Sequence, residues 1–152
     1  MHDTEMKAHV FGSLFLIANK LQVLGDQIDE QVSTKQWLLL AVLLSSDSQE
    51  CMLSELAAKT GSSRQNIKKM AQILERRGFL ELAQSEKDKR AVLVRPTQAC
   101  FRHLKTREAD EKAFVEAFFA GFESAALEAM YHSIRMWMEN LQRMEEMYEK
   151  GE

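Results

Sequence analysis

The sequence predicts a mainly α-helical fold that carries one short β-hairpin. Three observations predict it. The 152 residues include one proline and six glycines, too few breakers for a many-turned β fold. Apolar residues recur at three- and four-residue spacing over long stretches at both ends of the chain. Near the middle, two short apolar runs, 79–83 and 91–95, flank a polar, charged tip at 85–90, as strands flank a turn.

In chain order, residues 5–30 read as a helix whose stripe is Val10, Leu14, Ile17, Leu21, Leu24 and Ile28. Its apolar part is interrupted by Asn19, Lys20 and Gln22 and preceded by Asp3 and Glu5 instead of a basic segment. It is therefore expected to be neither a signal peptide nor a membrane span. Ser33 is placed to cap a second helix that runs to Leu44. The run Trp37 to Leu44 is apolar on every side, which predicts the buried centre of the domain. A polar loop, 45–49, leads to a short third helix ending at Thr60 and Gly61. Ser63 then caps a fourth helix to Arg77, with Gly78 following it. After the hairpin, Pro96 ends the second strand and Thr97 caps a fifth helix to about residue 120. Gly121 breaks that helix. A sixth helix, from about 124 to 149, carries Leu127, Met130, Ile134, Trp137, Leu141, Met144 and Tyr148.

Residues 53–77 fit a helix-turn-helix. Such a unit needs a small residue where its two helices cross, and Ala57 stands there. Four residues on it needs a turn residue that tolerates positive φ, which Gly61 supplies. Six further on it needs a branched apolar residue to lock the second helix, and Ile67 is in place. With the hairpin at 79–95 as a wing, residues 33–96 form a winged helix-turn-helix lobe. Leu53, Leu56, Ile67, Met70, Leu74, Leu80 and Leu93 supply its own apolar set. The terminal stripes at 5–30 and 97–149 then need a second hydrophobic assembly, most simply a two-fold homodimer. The whole chain, 1–152, reads as one such domain.

Charge is distributed unevenly. From Lys59 to Arg95 there are ten basic and four acidic residues, a balance of +6, within a chain of formal net charge −3. A basic middle between acidic arms suits a polyanion such as double-stranded DNA. On the fourth helix, Gln65, Lys69, Gln72 and Arg76 oppose the apolar face of Ile67, Met70, Ala71 and Leu74. Gln65 and Asn66 have the donor–acceptor pair that matches adenine, and Arg64 or Lys68 suits guanine or phosphate. The expected DNA-contacting set is Ser63, Arg64, Gln65, Asn66, Lys68, Lys69 and Gln72, with Lys87, Asp88, Lys89 and Arg90 at the wing. A two-fold dimer implies a pseudo-palindromic operator.

The chain, from the segment Ser33-Thr34-Lys35-Gln36-Trp37 to its last helix, resembles the MarR family of bacterial regulators. The strongest local match is Asp88-Lys89-Arg90 leading into Ala91-Val92-Leu93-Val94-Arg95-Pro96-Thr97. Ser85, Glu86 and Lys87 depart from the family's pattern just before it. The break at Phe119-Ala120-Gly121-Phe122 is similar to the family's junction between its last two helices. The resemblance implies a cytoplasmic, homodimeric transcription regulator, a repressor in the first instance, joined through its terminal helices. It implies a wing arginine in the minor groove, here Arg90, with Asp88 holding the wing. It also implies a small aromatic or anionic effector, for which Phe11, Phe15 and Trp37 are the candidate lining.

An enzyme is not expected, because the chain has no glycine-rich phosphate loop and no nucleophile elbow. His2, His9, His103 and His132 lack a carboxylate or cysteine partner at metal-helix spacing, so no metal or other cofactor is assigned, although a few relatives in the family bind zinc. Two alternatives remain. One is a thiol-based redox sensor through Cys51 or Cys100, against which both read as buried and inert. The other is a winged-helix module for protein contacts alone, which would not need the basic wing.

Overall fold

The structure is a computed structural model that describes residues 2–149. It has six helices and three strands among those residues: α1 (Asp3–Gly25), α2 (Thr34–Leu44), β1 (Cys51–Met52), α3 (Leu53–Thr60), α4 (Arg64–Arg76), β2 (Leu80–Gln84), β3 (Val92–Pro96), α5 (Gln98–Phe118) and α6 (Ser124–Glu149). The chain divides into two compact units, residues 1–114 and 115–152.

In the first unit the helix ends obey local chemistry. Ser33 Oγ accepts from Gln36 N at 3.2 Å while Gln36 Oε1 accepts from Ser33 N at 3.0 Å, a reciprocal capping box. Ser63 Oγ accepts from Asn66 N and Thr97 Oγ1 from Cys100 N, each at 3.2 Å. The turn between α3 and α4 depends on Gly61 at φ +66°, and Gly78, at φ +81°, closes α4.

The core forms where α2, α3 and α4 meet the sheet. Leu39, Leu40, Leu43, Leu56, Ile67, Leu74, Leu80 and Val94 are buried, with Ala57 at the crossing of α3 and α4. Burying such side chains stabilises by roughly 1.5–3 kcal/mol each. Only one face of α2 takes part. Trp37 and Leu38 stay 37% and 45% exposed, so the expectation of burial all round is corrected. The apolar run misleads because a helix of this length has enough core to cover one side only.

The sheet has the order β1–β3–β2, antiparallel throughout. β1 is too short to carry a pattern and was not expected. It pairs Cys51 with Val94 and Met52 with Leu93, which makes β3 the central strand. Within β3, Val94 is the buried residue and Leu93 is only half-buried, one register from the expected core position. Pro96 is tolerated because β1 does not extend far enough to need its missing N–H.

α1 stops at Gly25, not near residue 30, so Ile28 lies beyond the helix. The cause is an anchorage to α2. Thr34 Oγ1 donates to Gln22 O at 3.2 Å and Thr34 N donates to Asp26 Oδ1 at 2.7 Å. A Cβ on Gly25 would collide with the Thr34 hydroxyl. The rest of α1 is apolar and uncovered: Phe11, Phe15, Leu16 and Val23 are each at least 60% exposed. By length and composition alone α1 would also suit a membrane span.

The linker after α1 is held by buried charge. Asp29 Oδ2 lies 2.6 Å from His103 Nε2 and 3.0 Å from Arg107 Nη1, both on α5. Arg107 also donates to Val32 O at 3.3 Å and lies 2.6 Å from Glu111. The His103 ring stacks on Phe79, with centroids 4.7 Å apart. His103 therefore has a carboxylate partner after all, 74 residues away in sequence and invisible to local spacing.

In the second unit, Gly121 at φ +84° separates α5 from α6. The rings of Phe118, Phe119 and Phe122 meet edge to face around it. α6 has no buried residue, and its expected stripe is uncovered, from Met130 at 36% to Leu141 at 50% and Tyr148 at 78%.

Burial alone would raise the pKa of Asp29. The Gln31 N–H, His103 and Arg107 outweigh that and hold it below its usual 3.8. A lowered carboxylate stabilises the fold fully above its unfolded pKa, and the contribution is lost as pH falls through the lowered value. Asp29→Ala should therefore cost about 1–3 kcal/mol at pH 7, since Arg107 keeps Glu111 and the Val32 carbonyl but loses one charged partner, and His103 loses its carboxylate. In urea denaturation, the gap between wild type and Asp29→Ala should stay constant from pH 7 to about pH 5 and then narrow on further acidification.

Candidate nucleic-acid interface

α4 presents two chemically opposite faces. Ile67, Ala71 and Leu74 are buried against α3 and the sheet, and Met70 is half-buried. Arg64, Gln65, Asn66, Lys68, Lys69 and Gln72 are all exposed, as is the capping residue Ser63. Among the described residues, none of the Arg64, Lys68 or Lys69 side chains has an intramolecular ion pair or hydrogen bond. Their charge is uncompensated and available to an external anion. The Ser63 hydroxyl, by contrast, already accepts one bond in capping α4.

Not every cation in the basic stretch belongs to that surface. Arg77 turns back to donate to Gln31 O and, at 3.3 Å, to Gln36 Oε1. Arg95 pairs with Glu50 at 2.7 Å, tying β3 to the loop before β1. Sequence counting could not separate these two from the free cations, because their partners lie over 40 residues away.

At the wing, β2 and β3 are joined by residues 85–91, and Lys87, Asp88, Lys89 and Arg90 are all exposed. The tip is closed by Ser85 N to Ala91 O at 2.9 Å and Ala91 N to Asp88 O at 3.0 Å. Asp88 Oδ1 accepts from Arg90 N at 2.9 Å, an Asx-type turn. Gln84 donates through its side chain to Lys89 O. The aspartate is thus occupied by the wing's backbone, and the Arg90 guanidinium is left free.

Neither cysteine fits a sensor. Burial raises the Cys51 thiol, and a hydrogen bond at 3.2 Å to the Glu55 carboxylate raises it further. That same bond, with one from Met52 N, lowers Glu55. Burial pushes Cys100 up to about 11. A reactive thiol needs the reverse, an accessible site that favours thiolate. Among the described residues no three metal-ligating side chains come together.

Phe11 and Phe15, two of the three residues considered for an effector, sit on α1 as an edge-to-face pair 5.2 Å apart. Trp37 sits on α2, and all three are exposed.

A helix pair locked through Ala57 and Ile67, followed by a β-hairpin with a cationic tip, defines a winged helix-turn-helix protein. Residues 30–91 match the model of the MarR family. No curated protein matches the chain by sequence. Solved MarR structures match nearly its full length. A MarR transcriptional regulator from Methanosarcina mazei Go1 is 16% identical with a TM-score of 0.79, covering 90% of this chain and 99% of that one. A MarR family transcriptional regulator from Streptomyces coelicolor, solved in complex with DNA, is 21% identical with a TM-score of 0.73, covering 93% and 90%. A Bordetella bronchiseptica protein, whose DNA binding is regulated by 6-hydroxynicotinic acid, is 18% identical with a TM-score of 0.72, covering 91% and 96%. At these identities the likeness carries the fold.

The wing geometry gives Asp88 and Arg90 separable effects. Arg90→Ala should weaken duplex binding by about 1–3 kcal/mol while leaving the melting temperature nearly unchanged. Asp88→Ala should weaken binding too, although it removes a negative charge that phosphates repel. Fluorescence anisotropy on a selected duplex checks both, and tighter binding by Asp88→Ala would refute the orienting role.

Proposed function

We propose that the protein is a homodimeric transcription regulator that binds duplex DNA sequence-specifically. The observation that carries this reading is the exposed face of α4, whose cations have no internal partner, beside a wing that frees Arg90. In this reading the N-terminal turns of α4 enter the major groove, where Gln65 and Asn66 meet base edges and Arg64, Lys68, Lys69 and Gln72 meet bases or phosphates. Arg90 enters the adjacent minor groove, for which a planar, weakly hydrated cation is suited, and Lys87 and Lys89 meet its phosphates. A module used only for protein contacts would not need this cationic surface. That the Streptomyces coelicolor relative was solved in complex with DNA supports the DNA-binding reading.

Dimerisation through the terminal helices follows from exposed surface. Val10, Leu14, Ile17 and Leu24 on α1, and Ile134, Trp137 and Leu141 on α6, are apolar and uncovered in one chain. A second copy of the chain buries both stripes most simply, and it would present two α4 helices to half-sites about one helical turn apart. A cytoplasmic location follows from a DNA partner. We further infer that the protein represses and that a small aromatic or anionic molecule releases it. Exposed Phe11, Phe15 and Trp37 and the effector-regulated Bordetella bronchiseptica relative support that inference.

Selection of bound DNA from a random duplex pool tests the main reading and should return a pseudo-palindromic sequence. With about three to five phosphates neutralised per subunit, the slope of log K against log salt should be about −5 to −9. A flat response, or no enriched duplex, overturns DNA binding. Sedimentation at micromolar concentration should give a dimer, and a stable monomer would refute the assembly. A panel of aromatic carboxylates should include one that raises the melting temperature and releases the duplex. A panel without effect removes the effector from the proposal.

A further inference from the structure

Of the four acidic residues in the basic stretch 59–95, two accept a hydrogen bond from wing backbone. Asp88 at the wing tip is explained by the Arg90 N–H. The other is Glu75, in the last turn of α4 and next to Arg76 on the basic helix. An anion there is disfavoured twice, by the negative end of the helix dipole and by any phosphate that approaches α4.

The edge of the sheet accounts for its position. Ser85 N donates to Ala91 O, and Thr97 N donates to Phe79 O. In an antiparallel pair the bonded residues alternate, so residues 79, 81, 83 and 85 bond β3. Leu80, Leu82 and Gln84 then turn their N–H groups outward, and β2 is an edge strand with nothing beyond it in the sheet. The outward N–H of Leu82 is met by Glu75 Oε1 at 3.2 Å. Leu82 lies at the middle of β2, and its half-buried side chain packs on the core. One carboxylate thus joins the middle of the wing's edge strand to the helix that carries the groove-facing side chains.

We propose that Glu75 is a positioning residue for DNA binding: through the Leu82 N–H it fixes the wing at the angle to α4 that lets both engage one duplex. The proposal rests on the DNA-binding reading above. Without the strap, β2 keeps its bonds to β3 and β3 its bonds to β1, but the wing beyond Leu82 is less firmly referred to α4, and Arg90 loses its aim toward the minor groove. The predicted sign opposes simple electrostatics, since loss of a carboxylate beside DNA should otherwise tighten binding.

The test is a double-mutant cycle in the full-length protein on the duplex that wild type selects, read by anisotropy. Glu75→Ala should weaken binding roughly tenfold, whereas Glu75→Gln, whose amide oxygen accepts the same N–H, should bind within about twofold of wild type or tighter. Arg90→Ala should cost wild type and Glu75→Gln about tenfold, but Glu75→Ala less than about threefold, because an unaimed wing has little left to lose. Amide exchange at Leu82 should be slow in wild type and in Glu75→Gln and fast in Glu75→Ala. The last comparison keeps the proposal testable even where Glu75→Ala is poorly folded, since wild type alone must show protection. Unprotected Leu82 in wild type, undiminished binding by Glu75→Ala, equal losses by the alanine and glutamine variants, or an equal Arg90→Ala effect in every background each overturns the role of Glu75 alone. Wild type that selects no duplex overturns the DNA-binding reading instead, and this proposal with it.

Discussion

The first unit is organised around one buried carboxylate. Asp29 follows α1 by four residues and holds His103 and Arg107 of α5 together, while Arg107 also reaches the Val32 carbonyl. A helix, a linker and a strand root, through Phe79, are thereby referred to a single point. Apolar packing of the same volume would be as stabilising, because taking these charges out of water costs several kcal/mol per ion. Ion pairing is directional where apolar packing is not. It admits one angle of α5 against the linker.

The same logic recurs closer to the candidate surface on α4 and the wing. Glu50 holds Arg95, Glu75 holds Leu82 N, and Asp88 holds Arg90 N. Each acid in this set is bound to a particular backbone or guanidinium donor on the wing or its strands. Two of the four acids in the basic segment, Glu75 and Asp88, thus hold wing backbone, while the unpaired cations on α4 remain free for an outside anion. A chain with formal net charge −3 can in this way present a local surface of the opposite sign.

How much of this was legible in the sequence depends on the range of each interaction. Caps and turns were, because Ser33, Ser63, Thr97, Gly61, Gly78 and Gly121 act within four residues of themselves. The helix-turn-helix was legible through Ala57, Gly61 and Ile67 for the same reason. β1 was not, since two residues carry no period, and its existence depends on β3, some 40 residues on. Gly25 and the early end of α1 depend on Thr34, which hydrophobic periodicity does not register. Asp29 with His103 and Arg107 was out of reach, as were the inward turns of Arg77 and Arg95. The candidate surface on α4 could be listed from helical phase, but which cations were free could not.

The exposed stripes on α1 and α6 carry the remaining step. A monomer of ordinary surface scatters apolar residues in small patches, whereas here Val10, Leu14, Ile17 and Leu24 recur at helical spacing on α1, and Ile134, Trp137 and Leu141 on α6. Their spacing is the helical spacing of the covered helices. Lys20 and Gln22 interrupt α1, where hydrocarbon would favour an unbroken apolar surface. A protein partner with the same kind of stripe accommodates such interruptions at its rim, because charged stems lie along the interface while their ends remain in water. In the proposed homodimer, self-association would satisfy both stripes with one surface type and supply the two-fold symmetry that a paired DNA-binding element requires.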